Sequence, residues 1–301
     1  MATVSAPRDV STILNFISPA SDFNRRYMAP MSEINTGVYE EHRITIKDGR
    51  CNAAEFTLEN NGFTLVKHKS KVTANTLCRR LLQVTDFRGL KSSWTGDFRP
   101  DDVYGAEMRD LLLKLTGGDK VITFGVVVRQ TVPSDTNFQP PASDVHVDWS
   151  PRRAHQLAET LLSKSDTPEM KYSHFLCINT WRALSPPPQD YPLAVCDARS
   201  LLGTITVPNT MIGVDKIPDD FTKRELLPDG PVLSEADLFT YNGKQQWYYF
   251  SNMKDDEVLV FTLFDSHRPR DGRSAHTAFR DNREDGKPRE SVEIRSVVYF
   301  N

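Results

Sequence analysis

From residue 121 to the C-terminus the chain is a succession of short segments rich in β-branched and aromatic residues, a pattern that restricts it to a β-dominated fold. The segments are Val121 to Arg129, Phe175 to Trp181, Leu193 to Cys196, Gln246 to Ser251, Glu257 to Phe264 and Val292 to Phe300. Turn signals such as Asn242-Gly243 and Asp271-Gly272 lie between them. Strands of this kind must bury their faces against one another, so the pattern predicts a mainly β fold with a double-sheet barrel core.

Two helices flank that core. Residues 102 to 116 place Tyr104, Met108, Leu111, Leu112 and Leu115 on one face, follow Asp101 and Asp102, and stop at Gly117-Gly118. Ser150-Pro151 pairs an N-cap residue with a favoured first helical residue, and Ala154, Leu157, Ala158, Leu161 and Leu162 keep helical spacing to about Lys164. The expected organisation is one domain over 1–301. Residues 1 to about 120 form an N-terminal extension of helices and short strands such as His42 to Ile46, and residues 121–301 form the β core. The loops at Ser185-Pro186-Pro187-Pro188 and Val132 to Ala142 are not domain boundaries, because strand signals continue on both sides. The charged segment His267 to Pro288 reads as an exposed connection before the last strand.

Composition narrows the function classes. With 301 residues, 39% hydrophobic and 26% charged, the chain can bury a sizeable core. Its 37 basic residues face 40 acidic ones, which argues against a nucleic-acid partner. No stretch approaches the roughly 18–20 apolar residues of a membrane helix, and the N-terminus lacks a secretory pattern, so a cytoplasmic protein with no membrane partner is expected. Cys51, Cys78, Cys177 and Cys196 have no CxxC spacing and read as reduced, buried thiols.

The chemistry is carried by Asp144-Val145-His146-Val147-Asp148-Trp149-Ser150. Strand alternation points His146 and Asp148 to one side and Val145 and Val147 to the other. Two such ligands with a second histidine form the facial triad of non-haem iron oxygenases, which leaves the opposite face of the metal open. His-x-Asp alone is a common pattern, so a third ligand is needed. His155 lies in a predicted helix, while His42, His68 and His174 read as structural or solvated. His276, among the small residues of Ser274-Ala275-His276-Thr277-Ala278, is the preferred third ligand, and His267 is the alternative. A double-stranded β-helix opposes an early and a late strand, so a ligand 128 positions beyond Asp148 is sterically reasonable.

Arg289 follows with Ser291 two residues on, placing a guanidinium and a hydroxyl on one face of the last strand, suited to the far carboxylate of a dicarboxylate cosubstrate. Arg295 lies on the same face and is the reserve candidate; surface ion pairs with Glu290 or Glu293 are the plain alternative for both.

Several blocks together resemble the fungal asaB, CmcJ-like and gibberellin desaturase-like oxygenases. They are Gly62-Phe63 with Val66-Lys67-His68, His146-Val147-Asp148, Ile178 to Arg182, Pro192 to Ser200, Trp247-Tyr248-Tyr249, Asp256 to Phe261 and Arg289 to Arg295. The resemblance implies a double-stranded β-helix (jelly-roll, cupin-like), Fe(II), 2-oxoglutarate and O2 as cosubstrate, and a small-molecule substrate in fungal secondary metabolism. Similar proteins include hydroxylases, desaturases and an endoperoxide-forming enzyme of meroterpenoid biosynthesis, and some are homodimers. Carried across, the ligands are His146, Asp148 and His276, and the far carboxylate meets Arg289 and Ser291. Asn179 is a further cosubstrate contact, while Arg182 is open between pocket and structure. The family often has Cys-Pro before the distal histidine and an acidic residue near position 267, where this chain has Ser274-Ala275 and His267. Asp197 and Arg199 read as a loop-locking ion pair. Trp149 and Trp181 are candidates for the wall of an apolar substrate pocket, a terpenoid or polyketide-derived scaffold being the expectation by analogy. The rival classes are a non-catalytic β-barrel binding protein and a zinc hydrolase using the same three ligands.

Overall fold

The computed structural model describes residues 8–29, 32–73, 103–132, 140–217, 227, 229–269 and 272–301. Two sheets dominate. The larger runs in the order β1 (Val10–Ile17), β4 (Tyr39–Asp48), β12 (Trp247–Tyr249), β9 (Leu193–Cys196), β14 (His276–Ala278), β7 (His146–Val147), β11 (Val232–Phe239), β10 (Thr206–Gly213), β2 (Arg25–Ala29) and β3 (Ser32–Asn35). The smaller runs β5 (Phe63–Lys67), β13 (Glu257–Asp265), β8 (His174–Ala183), β15 (Glu290–Phe300) and β6 (Lys120–Gln130). The segment before about residue 120, expected as an extension, supplies strands to both sheets: β1 to β4 join the larger and β5 the smaller.

The inner faces of the sheets meet in one core. Phe124, Cys177, Trp181, Phe261 and Val297 from the smaller sheet pack with Leu193 and Val195 from the larger, and Leu157, Ala158 and Leu162 of a helix, Pro151–Ser163, close the same cluster. That helix begins as its sequence requires: Ser150 Oγ accepts from Arg153 N at 3.2 Å, and Pro151 occupies the first turn. The other face of the smaller sheet is covered by the helix Val103–Thr116, whose Tyr104, Met108 and Leu112 pack on Val128, Ile178, Val258 and Val292. It ends at Gly117, which takes the left-handed conformation (φ 69°) that a β-carbon disfavours. Val145, Val147, Ala194, Cys196 and Ala275 pack with Leu14, Phe16, Ile44 and Ile46 on the far side of the larger sheet. Its central strands are therefore buried on both faces.

That double burial corrects one expectation. The segment around His276 is not an exposed connection: residues 272–279 are buried, and β14 lies between β9 and β7. Small side chains at Ser274, Ala275, Thr277 and Ala278 allow the close fit, and the flanking charges are paired, Arg273 with Asp237 at 2.5 Å and Asp281 with Arg8 at 3.0 Å. The thiols also divide. Cys177 and Cys196 are buried as expected, Cys51 is exposed, and Cys78 lies outside the described residues.

Candidate metal centre

Antiparallel pairing of β14 with β7 sets His276 directly opposite His146. Directly opposed residues point to the same face, so the ladder itself lays the two imidazoles side by side, with ring centroids 4.4 Å apart. Asp148 does not continue the strand as the alternation suggested; β7 ends at Val147, and Asp148 lies at the bend that follows. It nevertheless returns its carboxylate to the imidazoles. Asp148 Oδ1 is 3.6 Å from His146 Nε2 and 3.9 Å from His276 Nε2, and one ligand atom from each of the three residues lies within 4.8 Å of the others.

The electrostatics favour the ligating form of His276 and Asp148. Burial, then the neighbouring His146, pushes the His276 imidazole down to about 3, so it is neutral and its ring nitrogen is a free donor. The Asp148 carboxyl sits well below its ordinary range: burial opposes ionisation, and the charge of Arg295 followed by the His146 hydrogen bond overcomes it. For His146, burial lowers the pKa, but the hydrogen bond to Asp148 and the charges of Asp144 and Asp148 outweigh it and leave the group raised. His146 Nδ1 lies 2.8 Å from the Asp144 carbonyl oxygen, and donation there turns Nε2 toward Asp148.

The three residues line one partly open cavity. Trp181, Leu193, Ala278 and Thr277 form walls, and Arg129, Arg289 and Glu293 supply charge. The two arginines that the sequence left open are told apart here. Arg295 is paired with two carboxylates: its Nε donates to Asp148 Oδ2 at 2.7 Å and its Nη2 to Glu293 Oε1 at 2.8 Å. Arg289 is 1% exposed, donates through Nη1 only to the Tyr191 carbonyl at 2.8 Å, and its Nε has no partner among the described residues. Burial and then the nearby charge of Arg129 push its pKa down to about 9, still charged at neutral pH. A buried cation without a counter-ion is costly, and a carboxylate entering the cavity relieves that cost.

Asn179 lies on the inner face of β8, between Phe261 on β13 and Arg295 on β15, and neither atom of its buried amide has a partner among the described residues. Ser291, also buried, follows Arg289 by two residues. Two imidazoles, an ionised carboxylate and a buried guanidinium with no ion-pair partner among the described residues suit a divalent transition metal with a dicarboxylate beside it.

Other candidates lie elsewhere. Trp149 is fully buried, stacked on Phe124 at 5.5 Å, and does not line the cavity, whereas Trp181 does, with the Arg289 guanidinium 5.7 Å from its ring centre. Arg182 points to the opposite face of β8, donating to the Asp255 carbonyl at 2.8 Å and lying 2.9 Å from His68 Nδ1; it is structural. His267 stacks on His174 at 4.0 Å, away from the triad, and His155 stands edge-on to Phe175 and Phe264. Asp197 accepts from Arg199 Nη2 at 2.6 Å and from Asn61 Nδ2 at 2.9 Å, locking its loop. Arg129 was absent from the sequence reading; its register opposite Ser291 carries the signal, and it appears only once β6 and β15 are paired.

A family model described as an oxidoreductase/YMDC permease-like domain matches residues 14–299. The chain belongs to this oxidoreductase family. Among its relatives, the hydroxylase/desaturase efuI of Hormonema carpetanum is 29% identical over 330 residues, covering 99% of this chain and 97% of that one. The Fe(II)/2-oxoglutarate-dependent dioxygenase nvfI of Aspergillus novofumigatus (strain IBT 16806) is 28% identical over 260 residues, covering 86% and 83%. The hydroxylase/desaturase asaB of Aspergillus flavus is 38% identical over 130 residues, 41% of this chain and 54% of that one, in line with the motif resemblance. A solved structure of the iron and alpha-ketoglutarate-dependent endoperoxidase NvfI superposes with a TM-score of 0.73 at 24% identity, over 97% of this chain and 98% of that one. The fold is therefore the double-stranded β-helix. Among the described residues no helix is long and apolar enough to cross a membrane.

Proposed function

We propose that His146 Nε2, Asp148 Oδ1 and His276 Nε2 hold iron(II), that Arg289 with Ser291 receives the far carboxylate of 2-oxoglutarate, and that the enzyme oxidises an apolar natural-product intermediate. The chain is an oxygenase of the iron(II)/2-oxoglutarate class, and its substrate is a small molecule. The observation that carries the site assignment is the juxtaposition, in one cavity, of three convergent donors with a buried guanidinium that has no ion-pair partner among the described residues. When bound, iron(II) would let O2 act as the oxidant, one oxygen atom entering succinate as 2-oxoglutarate loses CO2 and the other oxidising equivalent acting on a substrate carbon.

The protein's part is positional. Arg289 fixes the far end of the cosubstrate, so that its 2-oxo acid end is directed toward the triad. The Asn179 amide is a further hydrogen-bonding partner for a cosubstrate carboxylate. Trp181, Leu193 and Ala278 give the cavity its apolar surface. A terpenoid or polyketide-derived substrate matches such walls, and hydroxylation, desaturation and endoperoxide formation are the outcomes that the relatives' activities suggest.

The test supplies iron(II), 2-oxoglutarate, ascorbate and candidate terpenoids and measures succinate with the wild type and with His276→Ala. Substrate-stimulated succinate release in the wild type and its loss in the variant are expected. Equal turnover in the two proteins would remove His276 from the ligand set. Turnover of an ester or amide without oxygen or 2-oxoglutarate would instead identify a zinc hydrolase.

A further inference from the structure

Arg295 is held from every side. It stands opposite Phe124 on β6 at a point where the register skips one residue, Gly125. Gly125 adopts φ 58°, a conformation that other residues enter at a cost, and this bulge brings bare backbone against the arginine: a β-carbon on Gly125 would sit 3.5 Å from Arg295 Cδ. The Trp149 ring centre lies 6.0 Å from the guanidinium, and Trp149 is itself stacked on Phe124. Glu293 anchors the far side of the fork at 2.8 Å, and the side chain is only 16% exposed. So fixed, Arg295 engages one oxygen of the triad carboxylate, Oδ2, at 2.7 Å, while Oδ1 is the oxygen within 4 Å of both imidazole Nε2 atoms.

We propose that Arg295 is a positioning residue that reserves Asp148 Oδ2 and thereby presents Oδ1 alone to the metal, with Glu293 holding the guanidinium in register. The inference rests on the metal assignment above. A carboxylate with both oxygens free can chelate an ion and occupy two coordination positions. Here chelation would break a charge-assisted hydrogen bond in a buried site. One position per residue leaves the remaining positions to the cosubstrate and oxygen.

Mn(II) is the probe, titrated into the metal-free wild type and the variants Arg295→Gln, Arg295→Lys and Glu293→Gln. Affinity is read by chelator competition, and metal-bound water by proton relaxation; 2-oxoglutarate binding is then measured at saturating Mn(II). Arg295→Gln is expected to weaken Mn(II) roughly 10- to 100-fold, the usual cost of losing a partner that orients a ligand. Relaxivity per bound Mn(II) should fall by about a third as a second Asp148 oxygen displaces one of three waters. Arg295→Lys, which keeps a donor and charge near Oδ2, should recover most of both. Glu293→Gln, which leaves Arg295 in place, should cost about 10-fold, and these two variants decide the matter if the glutamine variant does not fold. Wild-type Mn(II) affinity and relaxivity in Arg295→Gln and Glu293→Gln would overturn the proposal. Unchanged Mn(II) binding with weakened 2-oxoglutarate binding would overturn it too, and make Arg295 a cosubstrate anchor. A wild type that binds no Mn(II) would overturn the metal assignment itself.

Discussion

Arg289→Gln removes a charge while keeping a polar side chain of moderate length, and it separates a cosubstrate anchor from a structural arginine. The native side chain is 1% exposed, and among the described residues its Nε has no partner and its Nη1 donates to a neutral carbonyl at 2.8 Å. Among the described residues it has no ion-pair partner, because Glu293 is engaged by Arg295 at 2.8 Å, and the Glu293 and Asp190 carboxylates favour its charge only from a distance. Truncating one partner of a buried, hydrogen-bonded charge pair costs about 2–5 kcal/mol. At about 1.4 kcal/mol per factor of ten, that predicts 2-oxoglutarate binding weaker by roughly 30- to 4,000-fold. Calorimetric binding of 2-oxoglutarate to the Mn(II)-loaded protein measures it directly, and the KM for 2-oxoglutarate in succinate release provides a second reading. Mn(II) affinity should remain within about threefold of wild type, since Arg289 makes no contact with the triad carboxylate. Thermal stability should hold or rise, because an unpaired buried charge is removed. A change in 2-oxoglutarate affinity below threefold would refute the assignment, and so would a loss of Mn(II) affinity equal to the loss for 2-oxoglutarate.

Removing metal with a chelator should abolish succinate release, and iron(II) should restore it while zinc(II) does not; restoration by zinc would point to hydrolytic chemistry. Asp265 tests the outer end of the smaller sheet. Its carboxyl is held below its ordinary range against the effect of burial, first by a 2.8 Å hydrogen bond from His174 and then by Arg268 at 3.0 Å. A depressed carboxyl pKa contributes stability that is full above the unfolded value of about 4 and is lost as pH falls through the folded value. Asp265→Asn should therefore lower the melting temperature at neutral pH, by about 1–3 kcal/mol of stability, and flatten the acid limb below pH about 4. An acid limb identical to wild type would remove Asp265 from that role.

Much of this molecule was legible in local pattern. Helices at 103–116 and 151–163 follow from an apolar face with a glycine stop and from a serine-proline start, both signals a few residues long. The strand at Leu193–Cys196 was predicted to the residue, and those at 120–130, 174–183, 257–265 and 290–300 to within two, because continuous β-branched and aromatic runs mark buried strands. Strands β1, β10 and β11 were not recognised. In β11 Glu235 and Asp237 are buried and satisfied by Ser150, Arg152 and Arg273, partners distant in sequence, so its composition does not announce it. The same reason hid β14, whose small residues and charged flanks imitate an exposed loop.

What the sequence by itself determined is the inventory: a β core, a His-x-Asp pair, a late histidine among small residues, and arginines on one face of the last strand. Which of these work together is a question of register. The opposition of His276 to His146, the bulge at Gly125 that seats Arg295, and the pairing of Glu293 and Asp148 with Arg295, not with Arg289, all come from strand pairing. Chemically identical guanidiniums six residues apart thus receive different tasks. A side chain's charge is a local property, but its neutralisation depends on neighbours that only the closed sheets supply.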